Sequence, residues 1–276
     1  YIQRMSRKLA ALMQDRKAIT KPIKLPPLGK VISRLALLAL IILIGAALFF
    51  VSKYLKEVGW GEWLHLFKNL GYTFGRVYTS VLISLLIMLP LGLKLGLSQK
   101  WTAELEPILQ IGASFPASLL FPILVLIFVW AKIPLGIGSI VLMVMGTQWY
   151  VLFNVMAGAR SIPSDLKEVA KSFHYNRYQR FFYLYLPAVF PYSITGILTA
   201  SGGAWNASIV AEYIDYKNQQ FTTPGIGSSI SMAAQASDFP LLTASIFLMV
   251  TTVALINYLV WLNLYHYSER KFTLNA

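Results

Sequence analysis

The chain has no cysteine and only three histidines among its 276 residues. The missing thiols exclude a cysteine-bound metal and leave the redox compartment unread. His65, His174 and His266 have no mutual spacing that suggests a metal or catalytic site. Charge is scarce as well: Asp, Glu, Lys and Arg make up 13% of the residues, where soluble domains carry about a quarter. No G-x-x-x-x-G-K-[ST] loop and no H-E-x-x-H occur, so the chain carries neither that phosphate cradle nor that zinc helix. Every Asp and Glu falls near or outside the ends of the apolar runs, so midspan carboxylates for ion coupling and a buried acid pair are both wanting. No signal-peptide pattern is visible.

What remains is apolar. Hydrophobic residues make up 57% of the chain and mean hydropathy is +0.60. A bilayer core needs about 20 such residues per helix. Six long uncharged intervals meet that need: Arg34 to Lys53, Arg76 to Lys94, Glu106 to Lys132, Lys132 to Arg160, Arg180 to Glu212 and Asp238 to Glu269. The expected fold is therefore an all-α membrane protein of six transmembrane helices. The first, residues 31–52, has no polar content through its "LALLALIILIGAALFFV" run and reads as an anchor. Spans two to six are expected at Thr73–Leu97, Ile108–Trp130, Leu135–Ala157, Pro187–Ile214 and Pro240–Leu264, the third kinked or broken at Pro116 and Pro122. Tyr54, Trp60 and Trp63 in the loop Ser52–Tyr72 suit an interfacial aromatic belt.

The formal charge of +13 invites a nucleic-acid reading, which its distribution defeats. With the N-terminus cytoplasmic, about 18 of the Lys and Arg residues fall inside and about 6 outside, the positive-inside asymmetry. The charge reports topology, with both termini cytoplasmic, and no nucleic-acid partner is expected. Residues 1–30 read as a basic cytoplasmic tail or linker, stiffened by Pro22, Pro26 and Pro27. The chain opens on Tyr1 rather than Met, as a piece of a longer product would.

The last three spans carry polar side chains: Thr147, Gln148 and Asn154; Ser201, Trp205, Asn206 and Ser208; Thr251, Thr252 and Asn257. Such groups at membrane depth face protein or water rather than lipid. The sequence thus divides into an anchor helix and a polar-lined five-helix core, residues 72–276. No internal repeat is apparent, so a pore between related halves requires a second copy or a partner chain.

One cytoplasmic stretch, residues 160–187, is too charged to span. Pro163-Ser164-Asp165 reads as a helix start, with Ser164 capping and Asp165 at the positive end of the dipole. Leu166, Val169, Ala170 and Phe173 then form an apolar stripe at helical spacing. His174-Tyr175 breaks the pattern, and Asn176 caps a second helix running to Leu186-Pro187. By periodicity alone this is an amphipathic surface helix. Its spacing says more: Glu168-x-Ala170, a turn residue at 174, then Leu184-x-Leu186-Pro187 resembles the EAA loop of type I ABC importer permeases. In that family the loop forms the coupling helix that docks in a groove on a cytoplasmic ATPase. The resemblance covers roughly Thr73 to Lys271 and assigns ATPase coupling to Leu166, Glu168, Val169, Ala170, Lys171, Phe173 and His174. His174 stands where the family has glycine, and histidine is among the residues that tolerate a left-handed turn.

After Pro187, Gly196, Ala200 and Ala204 recur every fourth residue, a face for close helix packing. Gly202-Gly203 offers a hinge or a close approach to ligand. "GGAWNASIVAEYI" resembles the corresponding segment of permeases for nitrate, sulfonates and bicarbonate, above all the duplicated anion-transport permeases, in which two halves are fused. Neutral donors hold a small oxyanion without trapping it, so the expected path is lined by Gln148, Trp205 and Asn206, with Ser114 beside them. Glu212 repels anions and reads as structural. The resemblance further implies a bacterial inner-membrane location and a cytoplasmic ATPase dimer that holds the ATP and Mg, since this chain binds no cofactor. It also implies a second permease copy or fused other half, and a periplasmic or lipid-anchored substrate-binding protein meeting the outer loop 216–239. The alternative is a stand-alone channel or secondary transporter for small anions.

Overall fold

The computed structural model describes residues 27–216 and 219–272. The expected basic tail therefore lies outside the described residues as far as residue 26. The chain divides after Lys53 into two units. The first contains most of helix α1, Pro27–Glu57, which extends past both ends of the expected anchor. Its side chains from Ile32 to Phe50 are all exposed, as suits a helix whose solvent is lipid.

The second unit is the core. Helix α2, Trp60–Gly96, starts well before the expected Thr73, so most of the supposed loop is helical. Glu62 explains the early start: its carboxylate accepts from the Gly59 N–H at 2.8 Å and sits in the first turn, where the helix dipole favours negative charge. At 1.5 Å per residue the helix is about 55 Å long, against a hydrocarbon thickness of about 30 Å. The overhang bears Trp60, Leu64 and Phe67, all exposed, an apolar edge suited to the headgroup boundary.

The third span is broken as expected, by one proline rather than two. Helix α3, Gln99–Ser114, ends at Phe115, which is extended because the residue before a proline is driven out of the helical region. A 3-10 turn, Ala117–Leu120, leads into α4, Phe121–Trp130. The two halves meet at 71°. Pro122 lies in the first turn of α4, where its missing N–H breaks no bond.

Helix α5, Leu135–Arg160, is the axis of the core. Val151, Leu152, Val155, Met156 and Ala159 are buried on it, packed between α2 on one side and α8, Leu186–Ala211, on the other. Close approach to α2 requires Gly96: a Cβ there would lie 2.6 Å from the Met156 carbonyl oxygen. On the other side a Cβ at Gly196 would lie 3.0 Å from Cβ of Asn154, and Ala200 and Ala204 are fully buried. Ser84 and Thr147 share a hydrogen bond of 3.1 Å across α2 and α5. Gly202-Gly203, expected as a hinge or a close approach to ligand, lies within α8, which runs through both. The Tyr150 ring fills the space where a Gly203 side chain would be, while Gly202 faces open space.

The segment expected as an outer loop over 216–239 is folded. Strands β1, Tyr213–Tyr216, and β2, Gln219–Thr222, pair antiparallel with Tyr213 opposite Thr222. Helix α9, Ile226–Gln235, follows, then α10, Phe239–Ile256. A π-helical turn, Asn257–Trp261, joins α10 to α11, Leu262–Phe272.

All these outer pieces meet at Glu212, whose side chain is fully buried. Arg76 Nη1 donates to Glu212 Oε1 at 2.9 Å and to the Pro224 carbonyl at 2.7 Å, and Nη2 donates to Thr223 Oγ1 at 2.9 Å. Thr73 Oγ1 lies 2.9 Å from both carboxylate oxygens and accepts from the Ile226 N–H at 2.8 Å. The Gly227 N–H donates to Oε2 at 3.0 Å, so the carboxylate takes up an otherwise unpaired N–H of the first turn of α9. Gly225 and Gly227 are required here because a Cβ on either would collide with Glu212 or with the Ser208 carbonyl.

Removing one member of a buried ion pair costs about 3–5 kcal/mol, since the other is left bare. Arg76→Ala should therefore lower the thermal unfolding midpoint of the purified chain sharply. Adding Glu212→Gln to it should recover part of the loss, because no uncompensated carboxylate remains.

Candidate coupling loop and solute groove

The loop between α5 and α8 is built around helix α6, Ser164–Ser172. Pro163 rather than Ser164 occupies the cap position, with extended backbone that leads the chain into the first turn. The Ser164 hydroxyl turns instead to Asp165 Oδ1 at 3.2 Å. The expected stripe divides in two. Ala170 is buried and Leu166 half-buried, anchoring the helix, while Val169 and Phe173 are 50% and 73% exposed. Glu168 and Lys171 are exposed beside them. The result is an exposed apolar ridge with charged flanks.

His174 closes the helix with φ at 51°. The His174 N–H donates to the Lys171 carbonyl at 2.9 Å and the Tyr175 N–H to the Ala170 carbonyl at 3.0 Å. This pair of bonds is the Schellman arrangement, whose left-handed residue is usually glycine. Asn176 then caps α7, Arg177–Arg180, exchanging 2.8 Å bonds with Gln179. Arg180 Nε donates back to the Tyr175 carbonyl at 2.9 Å, fastening the turn to the helix that follows.

That helix does not stop at Leu186-Pro187. A π-helical turn, Phe181–Tyr185, carries α7 directly into α8, so Arg177–Ala211 is a single rod of 35 residues. The reason is local: Pro187 has no N–H to donate, and the Leu186 N–H reaches back to the Phe181 carbonyl instead, widening the turn. The turn that closes α6 thus leads into one element that crosses the middle of the core and ends at Glu212.

Beside the rod lies a groove of about 760 Å³ between α2, α8, α9 and α10, continuing onto the Asn257–Trp261 turn. Trp205 and Asn206 line it, as do Tyr78, Ser201, Asn257 and Trp261. The Trp205 side chain is 2% exposed and its Nε1–H has no partner. Tyr78 and Trp261 lie near-parallel with ring centroids 6.4 Å apart, and Ser201 Oγ is 3.4 Å from the Tyr78 hydroxyl. No residue of α3 or α5 lines the groove. The four residues expected to share a path therefore do not converge within one protomer. Gln148 is half-buried on α5, and Ser114 spends its hydroxyl on the Gln110 carbonyl at 2.7 Å. Asn257 and Trp261 are additions that sequence reasoning did not single out as path residues, although Asn257 is visible as a lone polar group in an apolar run. Among the described residues, no group of three or more His, Asp or Glu could hold a metal ion.

The left-handed turn is testable by itself. His174→Val should destabilise the loop by about 1–2 kcal/mol and speed tryptic cleavage at Lys171 and Arg177. His174→Gly, free of the Cβ penalty, should be cleaved no faster than the parent.

Residues 88–273 match the family described as "Binding-protein-dependent transport system inner membrane component". The nitrate import permease protein NrtB of Synechocystis sp. is 28% identical over 110 residues, 40% of this chain and 38% of that protein. The riboflavin transport system permease protein RibX of Chloroflexus aurantiacus is 29% identical over 159 residues, 57% of this chain and 54% of that protein. The chain thus matches about half or less of the length of these curated relatives. Among solved structures, one titled as inward-facing conformations of the MetNI methionine ABC transporter aligns with a TM-score of 0.62 at 16% identity, covering 76% of this chain and 99% of that one. The fold is shared at that level of identity. With more than half its length matched, and with an amphipathic loop helix running into a spanning rod, this chain belongs to the family of inner-membrane components of binding-protein-dependent transport systems.

Proposed function

We propose that the chain is the membrane-spanning subunit of an ATP-driven importer, powered by a separate ATPase dimer that holds ATP and Mg. The observation that carries this reading is the ridge of Val169 and Phe173. Two large apolar side chains held out from a cytoplasmic turn by a Schellman closure and the Arg180 bond need a partner to cover them. Leu166, Glu168, Lys171 and His174 complete the docking face. Closure of the ATPase would press on α6, and Arg180 would pass the displacement into the rod and along it to the groove. A second permease copy, or a fused other half, would pair with this one, and a periplasmic or lipid-anchored binding protein would deliver solute to the outer segment containing α9. Both termini are cytoplasmic in this reading, as the charge asymmetry supports.

The solute of this reading is a small oxyanion. Trp205 Nε1 and the Asn206 amide are neutral donors on the groove wall, and no charged side chain lines it, so an anion would be held without being trapped. The name of the nitrate permease among the relatives supports the same class. Gln148 and Ser114 would contribute only along another face of the core.

The absence of native cysteine makes the test clean. Phe173→Cys should cross-link to a cysteine in the cytoplasmic ATPase, in a yield that changes with nucleotide. The assembled complex should hydrolyse ATP faster with loaded binding protein, and Val169→Asp should abolish that stimulation. Solute conduction by the chain alone in liposomes, without nucleotide, would overturn the reading.

A further inference from the structure

The ridge and the rod are separate elements, and the turn between them converges on Tyr175. From the end of α6 to the cap at Asn176 the chain passes through Phe173 and His174, both exposed, and Tyr175, which is half-buried. The Tyr175 N–H donates to the Ala170 carbonyl of α6 at 3.0 Å. Its carbonyl accepts from Arg180 Nε of α7 at 2.9 Å. Its ring lies between two others. The centroids are 6.4 Å from Phe173, at an interplanar angle of 56°, and 6.5 Å from Tyr183, at 66°. Both spacings fall within the range of about 4.5–7 Å at which tilted aromatic pairs attract. A run of rings thus leads from the exposed ridge to the start of the spanning rod.

The far end of that run falls where the rod is irregular. Tyr183 is the middle residue of the π-helical turn Phe181–Tyr185, a kind of distortion that recurs at functional sites. The Arg180 bond by itself is a pivot: one hydrogen bond fixes a distance at one point and leaves α6 free to rotate about it. The contact with Tyr183, further along the rod, supplies a second point and removes that rotation. Rings in contact repel steeply when pressed together, so a push on Phe173 passes through Tyr175 to the turn.

We propose that Tyr175 and Tyr183 are positioning residues of the transport cycle. Their ring contact converts movement of α6 into movement of the rod, and the π-helical turn is where the rod yields. This rests on the importer reading and locates the joint within it. The contact is made by rings, so phenylalanine should serve at either position and alanine should not.

With no native cysteine in the chain, single spin labels can report the two sides of the joint separately. Ser164→Cys labels α6 and Val210→Cys labels the far end of the rod; both positions are exposed. Each is measured on the full chain assembled with its ATPase in nanodiscs, without nucleotide and with ATP plus vanadate. Nucleotide should change both spectra. Tyr183→Ala should leave the response at 164 intact and cut that at 210 about fivefold, the lower end of coupling between linked sites. Tyr175→Ala should do the same, and the double variant no more. Tyr183→Phe should respond as the parent does, as should Tyr178→Ala, which removes an exposed ring outside the run. Tyr183 is itself 72% exposed, so its truncation leaves no cavity and decides the matter even if Tyr175→Ala fails to fold. An undiminished response at 210 in Tyr183→Ala, or an equal loss in Tyr183→Phe, would overturn the proposal and leave the importer reading standing. Failure of the parent chain to associate with any ATPase would instead remove the reading beneath it.

Discussion

A carboxylate with no access to water organises the outer half of this core. Glu212 is fully buried, and an ion there is tolerable only if its lone pairs are met by donors in good geometry. Those donors come from α2 through Thr73 and Arg76, and from the N-terminus of α9 through Gly227. The Thr223-Pro224-Gly225-Ile226-Gly227 stretch is shaped to this demand: a hydroxyl and a carbonyl for Arg76, then glycines where any side chain would strike the carboxylate or the rod. Because Glu212 follows the last residue of α8, the same interaction fixes where the rod ends. From that point the rod runs back past the groove to Arg177.

The inner half is held differently. Close contact between α2, α5 and α8 depends on small residues and on one hydroxyl pair, since burial in lipid supplies little drive between helices that are already surrounded by hydrocarbon. At the loop end of α5 Arg160 grips Glu106 through two bonds of 2.8 and 3.3 Å, joining α3 to the residue that leads into the loop. Both ends of the core are thus fastened by ion pairs, and among the described residues the apolar middle has none.

The sequence shows much of this because charge and proline are blunt signals in a membrane. Six uncharged intervals located the spans, Pro116 located the break, and Asn176 located a cap. The His174 substitution was legible as a left-handed turn, since few other residue types enter that region so readily. Other features were not legible. Ser164 is a good cap by residue type, but the fixed backbone of Pro163 had already taken the position. Gly202-Gly203 read as a hinge or a close approach to ligand, and sequence does not reveal that the Tyr150 ring packs against one glycine while the other lines the groove. Gln148 and Trp205 both carry donors at membrane depth, and only the folded chain shows that Trp205 lines the groove and Gln148 does not. The role of Glu212 was read as structural, but its partners lie up to 139 positions away in the chain.

The widened turn at Phe181–Tyr185 has a geometric meaning for the whole rod. It accommodates a residue beyond what a regular helix would use there, so the face of α8 that meets the groove is offset by about 100° from where an uninterrupted helix would set it. Shortening the chain by one residue at this turn would regularise the hydrogen bonding and swing the loop around the rod relative to Trp205 and Asn206. The angular phase between the loop ridge and the groove wall is therefore written in a single surplus residue beside Pro187.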